Sequence, residues 1–259
     1  MTNMNRKINR PGGELASRPL FFYWIVDCSY SMAEEKIGAL NNAAQSVIPD
    51  MRSAAKENPN TQVYVRTLKF SSGASWVTAE PVKVEEFEWE DLEAMGVTDM
   101  GKAFELISAQ LEMPPMPERA LPPVLVLMSD GMPTDAYKKP LDKLLKMPWG
   151  RKAVRIAISI GKDADDSVLA QFTGNPELVF KANNAAMLTK LIKWASTMPS
   201  MVSSPASQPE QTPAKDKTPD EKKEEGDKKA DKPRETPAQK YLNVVNIPDP
   251  EEVDPEDVW

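Results

Sequence analysis

Residues 20–27, LFFYWIVD, are apolar at every position up to the closing aspartate, which predicts a strand buried on both faces of a parallel sheet. Ile37, Leu40, Ala44, Val47, Ile48, Met51 and Ala55 then recur at spacings of three and four, the period of an amphipathic helix. Pro49 lies inside that pattern and is expected to kink or end the helix. TQVYVRTLKF (61–70) and SWVTAEPVKV (75–84) alternate like strands, and the SSG between them suggests a hairpin. Further on, the pattern predicts a helix over 101–112, a buried strand at 123–130 (PVLVLMSD) and a short helix around Leu141, Leu144 and Leu145. Strands at 154–161 (VRIAISIG) and 178–182 (LVFKA) follow, then a last helix through Met187, Leu188, Leu191, Ile192 and Ala195. Strands alternating with helices imply an α/β fold: an open, doubly wound, mostly parallel sheet flanked by helices.

Near residue 200 the pattern stops. Residues 199–240 are rich in proline and mixed charge with almost no large apolar side chains, too little to offset the entropy of ordering, and read as a disordered linker. Residues 241–259 regain Tyr241, Leu242, Val244, Val245, Ile247 and Trp259 among acidic residues, a frayed terminus or a docking motif for a partner. The expected organisation is a flexible segment at 1–17, one domain at 18–198, a linker at 199–240 and an acidic-aromatic segment at 241–259.

Charge and composition narrow the function. The net charge is −7, and from Ser200 onward acidic residues outnumber basic ones 15 to 9. With no basic block, nucleic acid and anionic membrane surfaces are poor ligands. Cys28 is the sole cysteine, so no intrachain disulfide forms. The polar first residues resemble no signal sequence, and no apolar run is long enough to span a bilayer; a cytoplasmic protein is expected. The chain has no histidine, which removes histidine-based triads, imidazole metal sites and histidine general bases together.

What remains is oxygen chemistry. Ligands of open α/β sheets sit beyond the carboxyl ends of the strands, where Asp27 and Asp130 close two of the predicted strands. Ser29 and Ser31 follow Asp27 at alternate positions, and Thr98 in GVTDMG precedes the helix near Gly101. Asp27, Ser29, Ser31, Thr98 and Asp130 supply carboxylates and hydroxyls but no soft ligand, a set suited to a hard cation such as Mg2+, with Mn2+ or Ca2+ as alternatives. Against this stands a simpler account in which Asp27, Ser29 and Ser31 cap the following helix. Asp99 and Asp135 each precede a helical pattern and read as helix N-terminal residues. Cys28 reads as a small apolar residue beneath the site, and Trp76 and Trp89 as covers for the sheet edge or as part of a partner surface.

The D-x-S-x-S of DCSYS, the threonine of GVTDMG and the aspartate of LMSDG, in this order and at these strand ends, resemble the metal-ion-dependent adhesion site of von Willebrand factor A domains over residues 18–198. The resemblance implies a Rossmann-like fold and a metal site built from Asp27, Ser29, Ser31, Thr98 and Asp130, with Ser29 and Ser31 as direct ligands. A partner's Asp or Glu would complete the coordination. Tyr30 stands where many members have glycine, which bears on the shape of the loop and on specificity at the rim. GVTDMGKAFELI and ALPPVLVLMSDGMPTD are most similar to bacterial TerY-type proteins. Those are associated with tellurite resistance, and with a protein kinase and a protein phosphatase in stress-response gene clusters.

These expectations favour a non-catalytic, metal-dependent protein-binding adaptor. A Mg2+-dependent phosphatase or phosphotransferase of the haloacid dehalogenase type is disfavoured, because its acid/base aspartate would stand where this chain has Ser29. In a third account the tail is the functional part and the domain a scaffold. The acidic residues Glu251, Glu252, Asp254 and Glu256 could also fill the metal site of their own domain or of a neighbour.

Overall fold

The computed structural model describes residues 17–162 and 164–202; residues 199–202, expected in the linker, continue the last helix, and the rest of the predicted linker and the acidic-aromatic segment lie outside the described residues. The first strand, β1 (Arg18–Asp27), carries large side chains at nearly every position and is buried along almost its whole length. It leads through a short 3-10 turn (Tyr30–Met32) into α1 (Glu35–Lys56). Then come β2 (Thr61–Ser71), β3 (Gly73–Trp76), β4 (Val82–Lys83), α2 (Met100–Gln110), β5 (Val124–Ser129), α3 (Lys138–Lys146), α4 (Pro148–Lys152) and β6 (Val154–Ile160). The chain continues with α5 (Asp166–Thr173), β7 (Val179–Ala182) and α6 (Ala185–Val202).

The strand order is β3-β2-β1-β5-β6-β7, with β4 also on β2. β2, β1, β5, β6 and β7 run parallel, and only β3 and β4 are antiparallel. Alternation along β1 divides the interior in two, since successive side chains of a strand point to opposite faces. Leu20, Phe22, Trp24 and Val26 pack with α1 and α6. Phe21, Tyr23 and Ile25 pack with residues of α2, α3, α4 and α5 on the other face. Among the described residues no helix is long and apolar enough to cross a membrane.

Three local expectations change. α1 runs through Pro49 to Lys56: the proline ring is on the exposed side while Ile48, Met51, Ala54 and Ala55 remain buried, so burial outweighs the ~3 kcal/mol cost of an internal proline. The predicted strand 75–84 is two short pieces. The ladder pairs Leu68 with Trp76 and Val65 with Val82, so the residues between bulge outward. Arg66 donates to the carbonyls of Thr78 and Ala79 there and lies 4.0 Å over the Trp76 ring. Finally, α5 had no counterpart among the predicted helices, although Val168, Leu169 and Phe172 in its sequence form an apolar stripe and are buried; a crossover between the parallel β6 and β7 requires such an element.

Residues 84–97 form a strap without regular structure across α1. Val84, Phe87 and Leu92 are buried in the α1–α6 core, and Trp89 stands edge-on to Trp24 at 5.1 Å. Asn41 holds the strap through its amide: Nδ2 donates to Leu92 O at 2.9 Å, and Oδ1 accepts from Trp89 Nε1 and Leu92 N, both at 3.0 Å. Arg52 donates to Val84 O and Phe87 O. Three bonds to one half-buried side chain make Asn41→Ala costly: we expect a loss of about 2–3 kcal/mol in urea unfolding. Asn41→Asp, which keeps the acceptor oxygen, should lose less.

Candidate metal centre

The strand order reverses at β1, whose neighbours β2 and β5 continue to opposite sides. That is the switch point at which an α/β sheet opens a crevice at the carboxyl ends of its strands. Asp27 closes β1 and Asp130 directly follows β5. Val26 pairs with Met128, so the next step brings Asp27 beside Ser129. Ser129 Oγ donates to Asp27 Oδ2 at 2.5 Å and accepts from Gly131 N at 2.9 Å. Ser29 N donates to Asp27 Oδ1 at 2.8 Å. Both oxygens of Asp27 are therefore oriented, on a side chain that is fully buried.

The helix-capping account of DCSYS does not hold. α1 starts at Glu35, and neither its own cap Glu34 nor Ser29, at the head of the 3-10 turn, makes a side-chain capping bond. Ser29 Oγ and Ser31 Oγ instead face each other at 3.0 Å. Glu34 takes φ 64, an uncommon conformation for a residue with a side chain, as the loop turns into the helix. Lys36 Nζ donates to Ser31 O at 3.1 Å and ties that loop down.

Thr98 reaches the site on the end of the strap. Met95 N donates to Cys28 O (2.7 Å), Tyr30 N to Gly96 O (3.0 Å) and Asp99 N to Ser71 O (2.9 Å), so the strap is stitched to the loop after β1 and to the end of β2. Thr134 holds Thr98 from the other side: Thr98 N donates to Thr134 Oγ1 at 3.0 Å, and Thr134 N to Thr98 O at 2.9 Å. Gly96 and Gly131 both have φ 74, and a Cβ would come to 2.4 Å from Ser72 Oγ and Asp165 O respectively. Only glycine fits these tight turns beside Thr98 and Asp130.

Asp99 stands at the N-cap position of α2 but makes no side-chain capping bond, and Asp135 caps that helix in its place. Asp99 Oδ2 accepts from Gly73 N (2.7 Å). Asp135 Oδ1 and Oδ2 accept from Gly101 N (2.9 Å) and Lys102 N (3.2 Å), so Asp135 caps α2 rather than the helix that follows it. Cys28 is buried, as expected, and burial pushes its thiol up to about 12, which leaves it unreactive. Trp76 and Trp89 both pack onto the sheet through Tyr23 and Trp24. Ser129, Thr134 and Lys36 were not singled out in the sequence. Ser129 was the most accessible of the three, as the residue immediately before a strand-closing aspartate.

The family model for the von Willebrand factor type A domain matches residues 23–194. The chain belongs to this family. No curated protein matches it. Solved structures share the von Willebrand factor A fold at low identity. A von Willebrand factor type A protein from Catenulispora acidiphila is 16% identical, with TM-score 0.53, over 71% of this chain and 43% of its own. The pilus adhesin SpaC from Lactobacillus rhamnosus GG is 16% identical, with TM-score 0.55, over 69% and 30%. Proximal thread matrix protein 1 from the mussel byssus, described with a zinc-occupied MIDAS motif, is 16% identical, with TM-score 0.51, over 70% and 49%. The chain spans less than half the length of each of these structures.

Two carboxylates of this von Willebrand factor A domain lie buried side by side. Among the described residues no ion pair reaches either, and Asp130 Oδ1 is buried with no hydrogen-bond partner. Burial raises Asp27 from 3.8 to about 6; the bonds from Ser129 and Ser29 oppose the shift, and the charge of Asp130 adds to it. No three His, Cys, Asp or Glu side chains cluster among the described residues, so a cation here would rely on two carboxylates supplemented by hydroxyls. An orphaned buried oxygen, two buried carboxylates and hydroxyls unused for capping are a donor set that fits a hard divalent ion.

A proton held more tightly by the folded than by the unfolded chain stabilises the fold at low pH. In chelator, the Asp27 contribution should be fully present below about 4 and lost as pH rises through about 6. Asp27→Asn removes this dependence. The stability difference between variant and wild type, read from urea unfolding across pH, should move in the variant's favour over that window by on the order of 1–3 kcal/mol. A difference flat from pH 4 to 7 would contradict it.

Proposed function

We propose that the chain is a non-catalytic protein-binding adaptor whose metal-ion-dependent adhesion site is formed by Asp27, Ser29, Ser31, Thr98 and Asp130. The single observation that carries this is the buried Asp27–Asp130 pair with its orphaned Asp130 oxygen. Those five residues would hold the ion, Mg2+ by preference for an all-oxygen set, with Mn2+ or Ca2+ as alternatives. When bound, the ion supplies a positive centre with room for one outside carboxylate. Ser129 and the Ser29 amide orient Asp27, Thr134 holds Thr98, and Gly131 allows the close approach of the α5 loop that seats Asp130.

The partner supplies an Asp or Glu side chain. By the similarity of GVTDMGKAFELI and ALPPVLVLMSDGMPTD to TerY-type proteins, we infer a bacterial stress-response or tellurite-resistance system in the cytoplasm, with a kinase or phosphatase of that system as the binding partner. The domain, expected at 18–198, runs on through α6 to Val202; we read 203–240 as the linker and 241–259 as a docking segment. A haloacid dehalogenase-type phosphatase needs an acid two residues after Asp27, and Ser29 there cannot serve; a phosphomonoesterase activity lost in Asp27→Asn would favour that chemistry instead.

Mg2+ at a hundredfold excess over its dissociation constant should stabilise the chain by about 2.7 kcal/mol, a rise of several degrees in Tm, and Asp130→Ala should abolish the rise. Capture from a native lysate should retain a partner in Mg2+ and lose it both in chelator and with Asp130→Ala. Capture unchanged by both would move the function away from the metal site.

A further inference from the structure

Five large apolar side chains are prominently exposed among the described residues, and four of them surround the candidate metal centre: Tyr30 (76%), Met95 (57%), Val97 (49%) and Met132 (44%). Tyr30 lies between Ser29 and Ser31, Met95 and Val97 lead into Thr98, and Met132 follows Asp130. Tyr30 N donates to Gly96 O, and Thr134 N to Thr98 O, so the three loops are bonded into one rim. A monomer's exposed apolar residues are normally scattered, and a cluster marks a binding surface. Tyr and Met are among the side chains enriched at such surfaces. An apolar collar around a cation calls for a ligand that sets a carboxylate among bulky apolar groups.

The chain itself contains such a segment. Residues 203–240 include no Val, Ile, Leu, Met or aromatic residue, whereas 241–259 regain Leu242, Val244, Val245, Ile247, Val253 and Trp259. The same segment has six acidic residues and no Lys or Arg. α6 starts at the sheet edge that carries the site, directly after β7, and its 18 residues lead away from it by about 27 Å. Square-root scaling gives a 38-residue connection a root-mean-square span of ~35 Å. A proline-rich, charged connection is more extended than a glycine-rich coil, so this one is long enough to return the segment to the site and hold it there at a raised effective concentration.

We propose that segment 241–259 docks on the collar of its own domain, with one of Glu251, Glu252, Asp254 or Glu256 completing the metal coordination, so that an external partner must displace it. This rests on the metal-site reading above. The test uses the full chain and a quadruple variant, E251Q/E252Q/D254N/E256Q, with a labelled peptide of residues 241–259 as probe. In Mg2+ the variant should bind the peptide at least tenfold more tightly than wild type, whose site is already filled. Chelator should abolish binding to both. Adding Tyr30→Ser to the variant should weaken binding about tenfold without removing the Mg2+-induced rise in Tm.

Equal peptide affinity for wild type and variant, or no binding to either, while Mg2+ still raises Tm, would overturn the docking proposal and leave the metal site standing. No Tm response to Mg2+ in either chain would overturn the metal-site reading itself. Mg2+-dependent dimers in sedimentation that vanish in the variant would place the segment on a neighbouring molecule, against docking within one chain.

Discussion

The pairing of β1 with β5 is the constraint on which the rest of the molecule turns. It places two strands that close on carboxylates side by side at the point where the sheet reverses direction. Its register brings Ser129 onto Asp27 and leaves Asp130 in the adjacent loop. The strands are held there by burial on both faces, since β1 contributes alternate side chains to two separate cores. The apolar area covered by Trp24, Tyr23, Phe22 and their neighbours is what a small domain has available to offset an unfavourable electrostatic feature.

That feature is two acids kept out of water next to each other. Burial dominates the upward shift of Asp27, and Asp130 adds to it despite two bonds that favour the ionised form. A group that weakens the apo fold while being carefully oriented indicates function more than stability. The surrounding design supports this: the serines after β1 are not spent on capping α1, and α2 takes its capping carboxylate from Asp135 in the loop after β5. The same loop supports Thr98 through Thr134. Loops from three sequence regions thus lock one another, and the rim they form exposes Tyr30, Met95, Val97 and Met132 where a polar rim would suffice for solubility.

The strap at 84–97 links core and site. Its hydrophobic residues belong to the α1–α6 core and its backbone is bonded by Asn41 and Arg52, yet it ends at Met95, Val97 and Thr98. Irregular backbone of this kind is held by side chains instead of a ladder, so no periodicity announces it. The same applies to the bulge between β3 and β4, which Arg66 fills and which the alternation of 75–84 concealed.

The buried strands, the helical pattern from Ile37 to Ala55 and the order of most elements, α5 excepted, were legible because burial imposes a period of two or 3.6 on apolar residues. A helix can run through Pro49 because tertiary packing of its other face outweighs a local preference. The five candidate ligands were legible as residue types at strand ends, with Asp27 and Asp130 at the carboxyl edge of the sheet. Their supports were not: Ser129 and Thr134 gain meaning only from register and loop packing, and Asp135 from the helix it happens to reach. By itself the sequence determined most of the buried segments, the alternation of strands and helices, and which oxygen-bearing side chains close the strands, since those follow from local pattern. Only the tertiary structure decided which oxygens are satisfied and which is left without a partner, because hydrogen bonds and charge repulsion depend on distances between segments about a hundred residues apart.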